Sequence, residues 1–378
     1  MEAVSRVSGR RCFGRGLPRR WAELGTLVAW MLLFTSGPAQ AFHDGGVASC
    51  GGCHVVHNSV DGRPVGPGPG NNYQLIAENA TDVCLMCHAE GAGSVMGIDP
   101  LAPPPELGAG NFVYLLEDNI NDGPDGRVET ILGNRAGHSI VAPSRGLVPD
   151  LRYVTAPGGT FPASELGCTS CHDPHGRDTF RMLNSAGNVQ GRTGTFFYDA
   201  PEAIGIDLRS AGEDRERHSA YLSGVSDWCR NCHGRYHEDA SSDFEHPVDR
   251  PLGSEVEQRY NSYDGDDNPV GGSRSTAYLP QVPFEDDASE ITSTQGPTAV
   301  SRLTCLTCHR AHASSAPSAG RWDFNVSLLS DDGVESGSWP IPSPYGNPNQ
   351  GSLCFKCHVS LQMEEPGSVE SINLDSMP

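Results

Sequence analysis

Cys168-Thr169-Ser170-Cys171-His172-Asp173-Pro174-His175 is the stretch on which the reading of this chain turns. Cysteines at i and i+3 of a helical turn face the same way, and a histidine at i+4 joins them. Two thiols so placed reach the two vinyl groups on one edge of a porphyrin, and the imidazole reaches the iron. Cys-x-x-Cys-His is the attachment signature of c-type haem. Working outward, the motif recurs at Cys50/Cys53/His54, Cys84/Cys87/His88, Cys229/Cys232/His233, Cys305/Cys308/His309 and Cys354/Cys357/His358. Redox dithiols and zinc knuckles also use Cys-x-x-Cys, but neither needs a histidine directly after every second cysteine. Six covalent haem c groups per chain are therefore predicted, with those six histidines as proximal iron ligands. The intervals between copies are irregular, which argues against a solenoid repeat.

Eight histidines remain. His57, His175 and His312 each follow a proximal histidine by three residues. The sixth iron position lies across the macrocycle, out of such a short reach, so each of these serves another haem or none. His138, in Gly137-His138-Ser139, and His246, before Pro247, lie in long loops that could bring them onto an iron. His43 and His237 complete the distal candidates, one of them spare. His218, in the charged stretch 213–217, reads as a surface residue.

The 378 residues carry a formal charge of -21, with 37% hydrophobic and 7% aromatic side chains, 45 Gly and 29 Pro. Such a chain has too little apolar side chain for a large core, unless porphyrin fills the interior. The acidity argues against nucleic acid as a partner. Residues 1–41 read as a cleaved signal peptide: six arginines, an apolar stretch from Leu24 to Phe34, then Ala39-Gln40-Ala41. The apolar run is about half of the ~20 residues that span a bilayer. Its removal takes six Arg, two Glu and Cys12, leaving twelve cysteines and a formal -25.

Residues 42–378 are read as one elongated domain of mostly irregular coil, with short helices at the haem motifs and few strands, wrapped around a chain of six haems. The segment Asn111 to Leu116 is the best strand candidate. The acidic loops Asn121-Asp122-Gly123-Pro124-Asp125 and Asp264-Gly265-Asp266-Asp267-Asn268 offer oxygen ligands suited to Ca²⁺, though neither has the EF-hand register and a solvated turn is the plainer reading.

The flanks of the motifs carry a resemblance. They are Phe42-His43-Asp44-Gly45-Gly46-Val47-Ala48, Ala156-Pro157-Gly158-Gly159-Thr160-Phe161-Pro162, Asp227-Trp228-Cys229-Arg230-Asn231-Cys232-His233, Tyr260-Asn261-Ser262-Tyr263, Ala277-Tyr278-Leu279, Pro283-Phe284-Glu285 and the stretch from Cys305 to Ser314. With these the chain resembles the outer-surface hexahaem cytochromes that polymerise into extracellular conductive filaments. The resemblance implies bis-histidine ligation at every iron, alternating parallel and T-shaped haem pairs, and a subunit junction. At that junction His57 would reach the haem on Cys305 and Cys308 of a neighbouring copy. This chain departs from the pattern in shorter inter-haem loops, in His218, and in an acidic tail with Glu364, Glu365, Glu370 and Asp375.

The expected function is long-range extracellular electron transfer as a filament protomer. Partners would be other copies of the chain, redox partner cytochromes, and extracellular acceptors such as metal oxides, at the outer cell surface or beyond it. The alternative is a non-polymerising shuttle in the periplasm or at the cell surface. A multihaem oxidoreductase would need an iron with an open position, and no motif lacks its histidine. No catalytic residue is therefore assigned.

Overall fold

The computed structural model describes residues 50–65, 70–89, 95–97, 103, 108–119, 133–189, 194–206, 212–237, 248, 250–265, 271–334 and 337–358. The chain divides into a unit Met1–Ala48, outside the described residues, and a unit Ser49–Pro378. Six α-helices are described: α1 (Ala80–His88), α2 (Gly133–Ala136), α3 (Cys168–Cys171), α4 (Val225–His233), α5 (Gly253–Ser262) and α6 (Cys305–Cys308). Four of the six coincide with a haem motif. The strands are two to four residues long and pair only as three antiparallel hairpins: Ser59–Val60 with Arg63–Pro64, Gly187–Asn188 with Thr195–Phe196, and Glu202–Ile204 with Ala220–Ser223. The rest is coil and 3₁₀ segments of three to eight residues, the sparse regular structure expected of a chain wrapped around haems. Among the described residues no helix is long and apolar enough to cross a membrane.

The helices begin for local reasons. The Asn79 side chain accepts from the backbone N–H of Asp82 at 2.9 Å, which caps the free amides at the start of α1. α4 begins after Gly224, whose φ of +79° suits glycine, and places Asp227 in its first turn. In the single-turn helices the hydroxyl at the third position turns back. Ser170 Oγ accepts from Gly167 N at 2.9 Å in α3, and Thr307 Oγ1 accepts from Thr304 N at 3.0 Å in α6.

Two small apolar clusters stand where a domain of this size would carry one large core. The first gathers Leu85, Phe112, Val113, Tyr114, Ile140 and Ala313. The second gathers Tyr260, Tyr278, Leu279, Phe284, Trp322 and Leu353. Tyr260 is fixed within the second by donating to Val282 O at 2.7 Å and accepting from Leu279 N at 3.2 Å.

Two expectations are corrected. The strand predicted over Asn111 to Leu116 is a 3₁₀ helix, Phe112–Asn119. The Asn111 side-chain oxygen accepts from Val113 N and Gly97 N at 3.0 and 2.9 Å, holding the turn, and four successive side chains from Phe112 to Leu115 are buried. A ladder is not needed to satisfy that backbone. His218 is not at the surface: it is fully buried, with Nδ1 2.9 Å from Ser219 O and Nε2 2.8 Å from Ser293 O. Its ring stacks on Tyr278 at 3.5 Å.

Candidate haem sites

Three motifs place their sulfurs and their histidine through the same short backbone device. In the third motif, α3 is followed by His172, which bridges Leu183 on an antiparallel return. Asp173 N donates to Met182 O and Asn184 N to Cys171 O, at 2.9 and 2.8 Å. The fifth motif repeats this with His309 and Gly320, Arg310 N to Ala319 O, and Arg321 N to Cys308 O, at 2.7 Å each. The first does so over a longer loop, with His54 and Leu75, Val55 N to Gln74 O, and Ile76 N to Cys53 O.

At the turn of each return stands a residue in the left-handed region: Tyr73 (φ +56°), Arg181 (+51°) and Ser318 (+60°). Its carbonyl accepts from the proximal ring, with His54, His172 and His309 Nδ1 each at 2.9 Å. In the fourth motif the carbonyl of Pro157 takes this role for His233 at 2.8 Å. The Pro157 loop comes close enough to α4 that a Cβ on Gly159 would lie 1.7 Å from Cys232 O, so only glycine fits. Holding the proton on Nδ1 leaves Nε2 as the free lone pair, the form that binds metal. The alternatives for paired cysteines are weak here: among the described residues no three acidic, cysteine or histidine side chains gather as a metal site.

The rings themselves meet in pairs. His54 and His175 have centroids 6.3 Å apart with planes 8° from parallel. His172 and His312 are 6.4 Å apart at 67°, and His138 and His233 are 5.9 Å apart at 39°. Two imidazoles bound on opposite sides of one metal, each through a bond of about 2 Å, have centroids about 6 Å apart. His138 is positioned by its Nδ1 donating to Ala311 O at 2.7 Å, and its backbone N donates to His312 O. Gly137 permits that approach, since a Cβ there would lie 2.2 Å from His312 O. Burial lowers His233 to about 4 and His312 to about 3, so these rings are neutral and able to ligate at neutral pH.

The motifs also follow one another in space. Cys53 lies near Cys84 and Cys87, Cys84 lies against Cys168, Cys171 is near Cys229, Cys229 lies against Cys305, and Cys308 is near Cys354 and Cys357. Successive motifs are thus neighbours in sequence order. Two of these contacts are built alike. α1 packs on α3 with the Thr81 hydroxyl accepting from Cys168 N at 3.3 Å, and α4 packs on α6 with Ser226 Oγ accepting from Cys305 N at 3.1 Å.

Other candidates stand apart. His57 is exposed, at φ +63° in the 3₁₀ turn Val56–Asn58. His237 closes the 3₁₀ turn Gly234–His237 directly after α4. His43 and His246 lie outside the described residues, as do residues 121–125 and 266–268 of the two acidic loops. Against His309 no histidine ring is found at the pair distance among the described residues; its neighbour is Phe324, edge-on at 5.5 Å. The carbonyl partners of the proximal rings were not foreseen from sequence. Three of them sit on non-glycine residues with positive φ, which no turn signature marks.

Comparison with known proteins follows this geometry. A family described as the doubled CXXCH motif matches residues 161–190. The C-type cytochrome OmcS of Geobacter sulfurreducens is 29% identical over 432 aligned positions, covering 88% of this chain and 98% of that protein. Two solved filament structures of the same organism's protein, the outer membrane cytochrome S filament and the OmcS nanowire, match with TM-scores of 0.70 and 0.68. Both are 26% identical and cover 84% of this chain and all of theirs. The resemblance drawn from the flanking sequences is borne out along nearly the whole chain, and haem c is the group its motifs bind.

Proposed function

We propose, from a chain that resembles filament-forming cytochromes over nearly its full length, that it is the protomer of an extracellular electron-conducting filament carrying six bis-histidine haems. The ring pairs support a ligand assignment: His175 opposite His54 on the haem of Cys50 and Cys53, His312 opposite His172 on that of Cys168 and Cys171, and His138 opposite His233 on that of Cys229 and Cys232. His43, His246 and His237 then remain for the irons of His88 and His358.

One observation carries the filament. The histidine three residues after the third proximal ligand serves the first motif, and the one after the fifth serves the third. The rule is a step of two motifs back along the chain. Its next term is the histidine after the first proximal ligand, His57, and the motif two steps earlier is the fifth motif of a preceding copy. His57 is exposed, and among the described residues His309 has Phe324 beside it and no histidine ring at the pair distance. A head-to-tail contact of this kind is heterologous and propagates as an open fibre.

Haem supplies the redox centre. The residues of this chain would hold it: the cysteines by thioether bonds, and the proximal rings, fixed by backbone carbonyls, together with their paired rings as iron ligands. Saturated iron favours outer-sphere electron transfer over substrate chemistry, so the chain acts as a carrier and not as an enzyme. Electrons would pass in sequence order from motif to motif, and from the sixth to the first of the next copy. Residues 1–41 direct export, and the final acceptors are redox partner cytochromes or metal oxides outside the cell.

The test is His57→Ala in the secreted protein. The expected result is one haem in six turning high-spin and assemblies shortened to single subunits in cryo-microscopy. An unchanged low-spin spectrum in a protein that is single subunits with or without the substitution would overturn the filament reading and leave a discrete shuttle.

A further inference from the structure

Thr81 ties the second motif to the third, and Ser226 ties the fourth to the fifth, each through its hydroxyl and the first cysteine's amide. Between the third motif and the fourth the link is an indole. Trp228 Nε1 donates to Asn184 O at 2.7 Å, and Asn184 N donates to Cys171 O at 2.8 Å. Trp228 is covalently next to Cys229. Two hydrogen bonds in a row therefore connect the second cysteine of the third motif with the first cysteine of the fourth, and the two sulfurs lie near one another.

Both ends of this link are held. Asn184 is buried, and its Nδ2 donates to Thr169 O and Ser170 O at 3.3 Å, which keeps its backbone on α3. The chain beyond Asn184 turns through the hairpin of Gly187–Asn188 with Thr195–Phe196 and comes back to α4. There Phe196 meets Trp228 edge-on, at 5.9 Å and 78°. Asn231, between the fourth motif's two cysteines, straps the segment down. Its Oδ1 accepts from Phe197 N and Tyr198 N at 2.8 and 3.0 Å, and its Nδ2 donates to Tyr198 O and Trp228 O at 3.1 and 3.0 Å. A partly buried indole N–H takes a partner within reach. Here that partner is a backbone carbonyl of the neighbouring haem site. Every group in the link is uncharged, so what the link sets is distance and angle.

We infer that Trp228 is a positioning residue for electron transfer: its N–H fixes the spacing and tilt between the haem on Cys168 and Cys171 and the haem on Cys229 and Cys232. The inference rests on the haem assignment above. Haem c is bonded covalently to its cysteines, so an interval fixed between Cys171 and Cys229 is passed on to the porphyrins. The link joins the pair of helices α1 and α3 to the pair α4 and α6. An electron travelling in sequence order from the first haem to the sixth has to take this step.

The test is circular dichroism in the Soret band of the full hexahaem protein. Mass and pyridine haemochrome analysis first confirm six haems, which separates failure of this inference from failure of haem loading. Haems held close at a fixed angle couple their transition dipoles and give a two-signed band, whose amplitude follows their distance and tilt and not the stability of the fold. Trp228→Phe keeps an aromatic ring and removes the N–H, and it should lose part of that amplitude. Phe196→Leu loosens the packing on the same indole and leaves the N–H in place. It should lower the melting temperature with the Soret band unchanged. Asn184→Ala removes the anchor on the α3 side while keeping the backbone carbonyl. It should also lose amplitude, and it decides the matter should Trp228→Phe not fold. A Soret band for six-haem Trp228→Phe that superimposes on wild type would overturn the inference. So would an equal loss in Phe196→Leu, or no loss in Asn184→Ala.

Discussion

The half built from α1 and α3 and the half built from α4 and α6 use one plan with different side chains. Each begins with a nine-residue helix ending in Cys-x-x-Cys-His. In each, a hydroxyl at the helix's second position accepts from the first cysteine of a single-turn helix, and the return strand fixes the proximal ring. What differs is enclosure. In the first half the histidine after the third motif, His175, is 63% exposed on its side chain. In the second half the equivalent His312 packs face-on against Phe112 at 4.5 Å and hands its carbonyl to His138 N. Backbone hydrogen bonds thus set the proximal rings in both halves, while side chains set how tightly each motif is enclosed by the protein around it.

Removing the two equivalent histidines should break that equivalence most sharply. His312→Ala and His175→Ala are each expected to turn one haem high-spin, read as a weak absorption band near the red end of the ferric spectrum and as CO binding when reduced. His312→Ala should also destabilise the protein by about 2–3 kcal/mol, because it empties a packed site. His175→Ala should leave thermal unfolding nearly unchanged. Equal melting temperatures for the two variants would mean that enclosure is not what separates the halves.

The next effect tests what the halves share. Ser226→Ala and Thr81→Val remove the hydroxyl acceptors of Cys305 N and Cys168 N and leave those amides without that partner. Each should cost about 1–2 kcal/mol, the larger loss at Ser226, which is fully buried and has the shorter bond, 3.1 against 3.3 Å. Denaturant unfolding midpoints measure both. Losses in the opposite order would show that the two helix contacts are alike only in outline.

Much of this arrangement is legible in the sequence because covalent haem needs a rigid spacing. The cysteine and proximal histidine positions, the sparse secondary structure and the small core all follow from Cys-x-x-Cys-His repeated in a chain poor in apolar side chains. The pairing of His175 with His54 is not legible, since it depends on two loops meeting across more than a hundred residues. Nor are the carbonyls of Tyr73, Arg181 and Ser318, whose left-handed backbone is imposed by the return strand and not by residue type. Asn111 to Leu116 misleads because its β-prone side chains are buried on every side, where pairing pattern and periodicity lose their meaning. His218 misleads because Asp214 and Arg217, the charged residues before it, pair backbone to backbone as a turn, letting the ring point inward against Tyr278.

The smallest expected effect isolates the charge that the halves do not share. Asp173 lies 3.4 Å from His175 Nδ1, so among the distal rings this one faces a carboxylate where His138 faces a carbonyl. A carboxylate on the outer ring nitrogen makes imidazole a stronger donor to iron and favours the ferric haem. Asp173→Asn should therefore raise the potential of the haem assigned to Cys50 and Cys53, and only slightly, because Arg177 already neutralises much of the carboxylate and solvent reaches His175. A downward shift in Asp173→Asn would show that the carboxylate acts by holding the Arg177 loop in place and not by its charge.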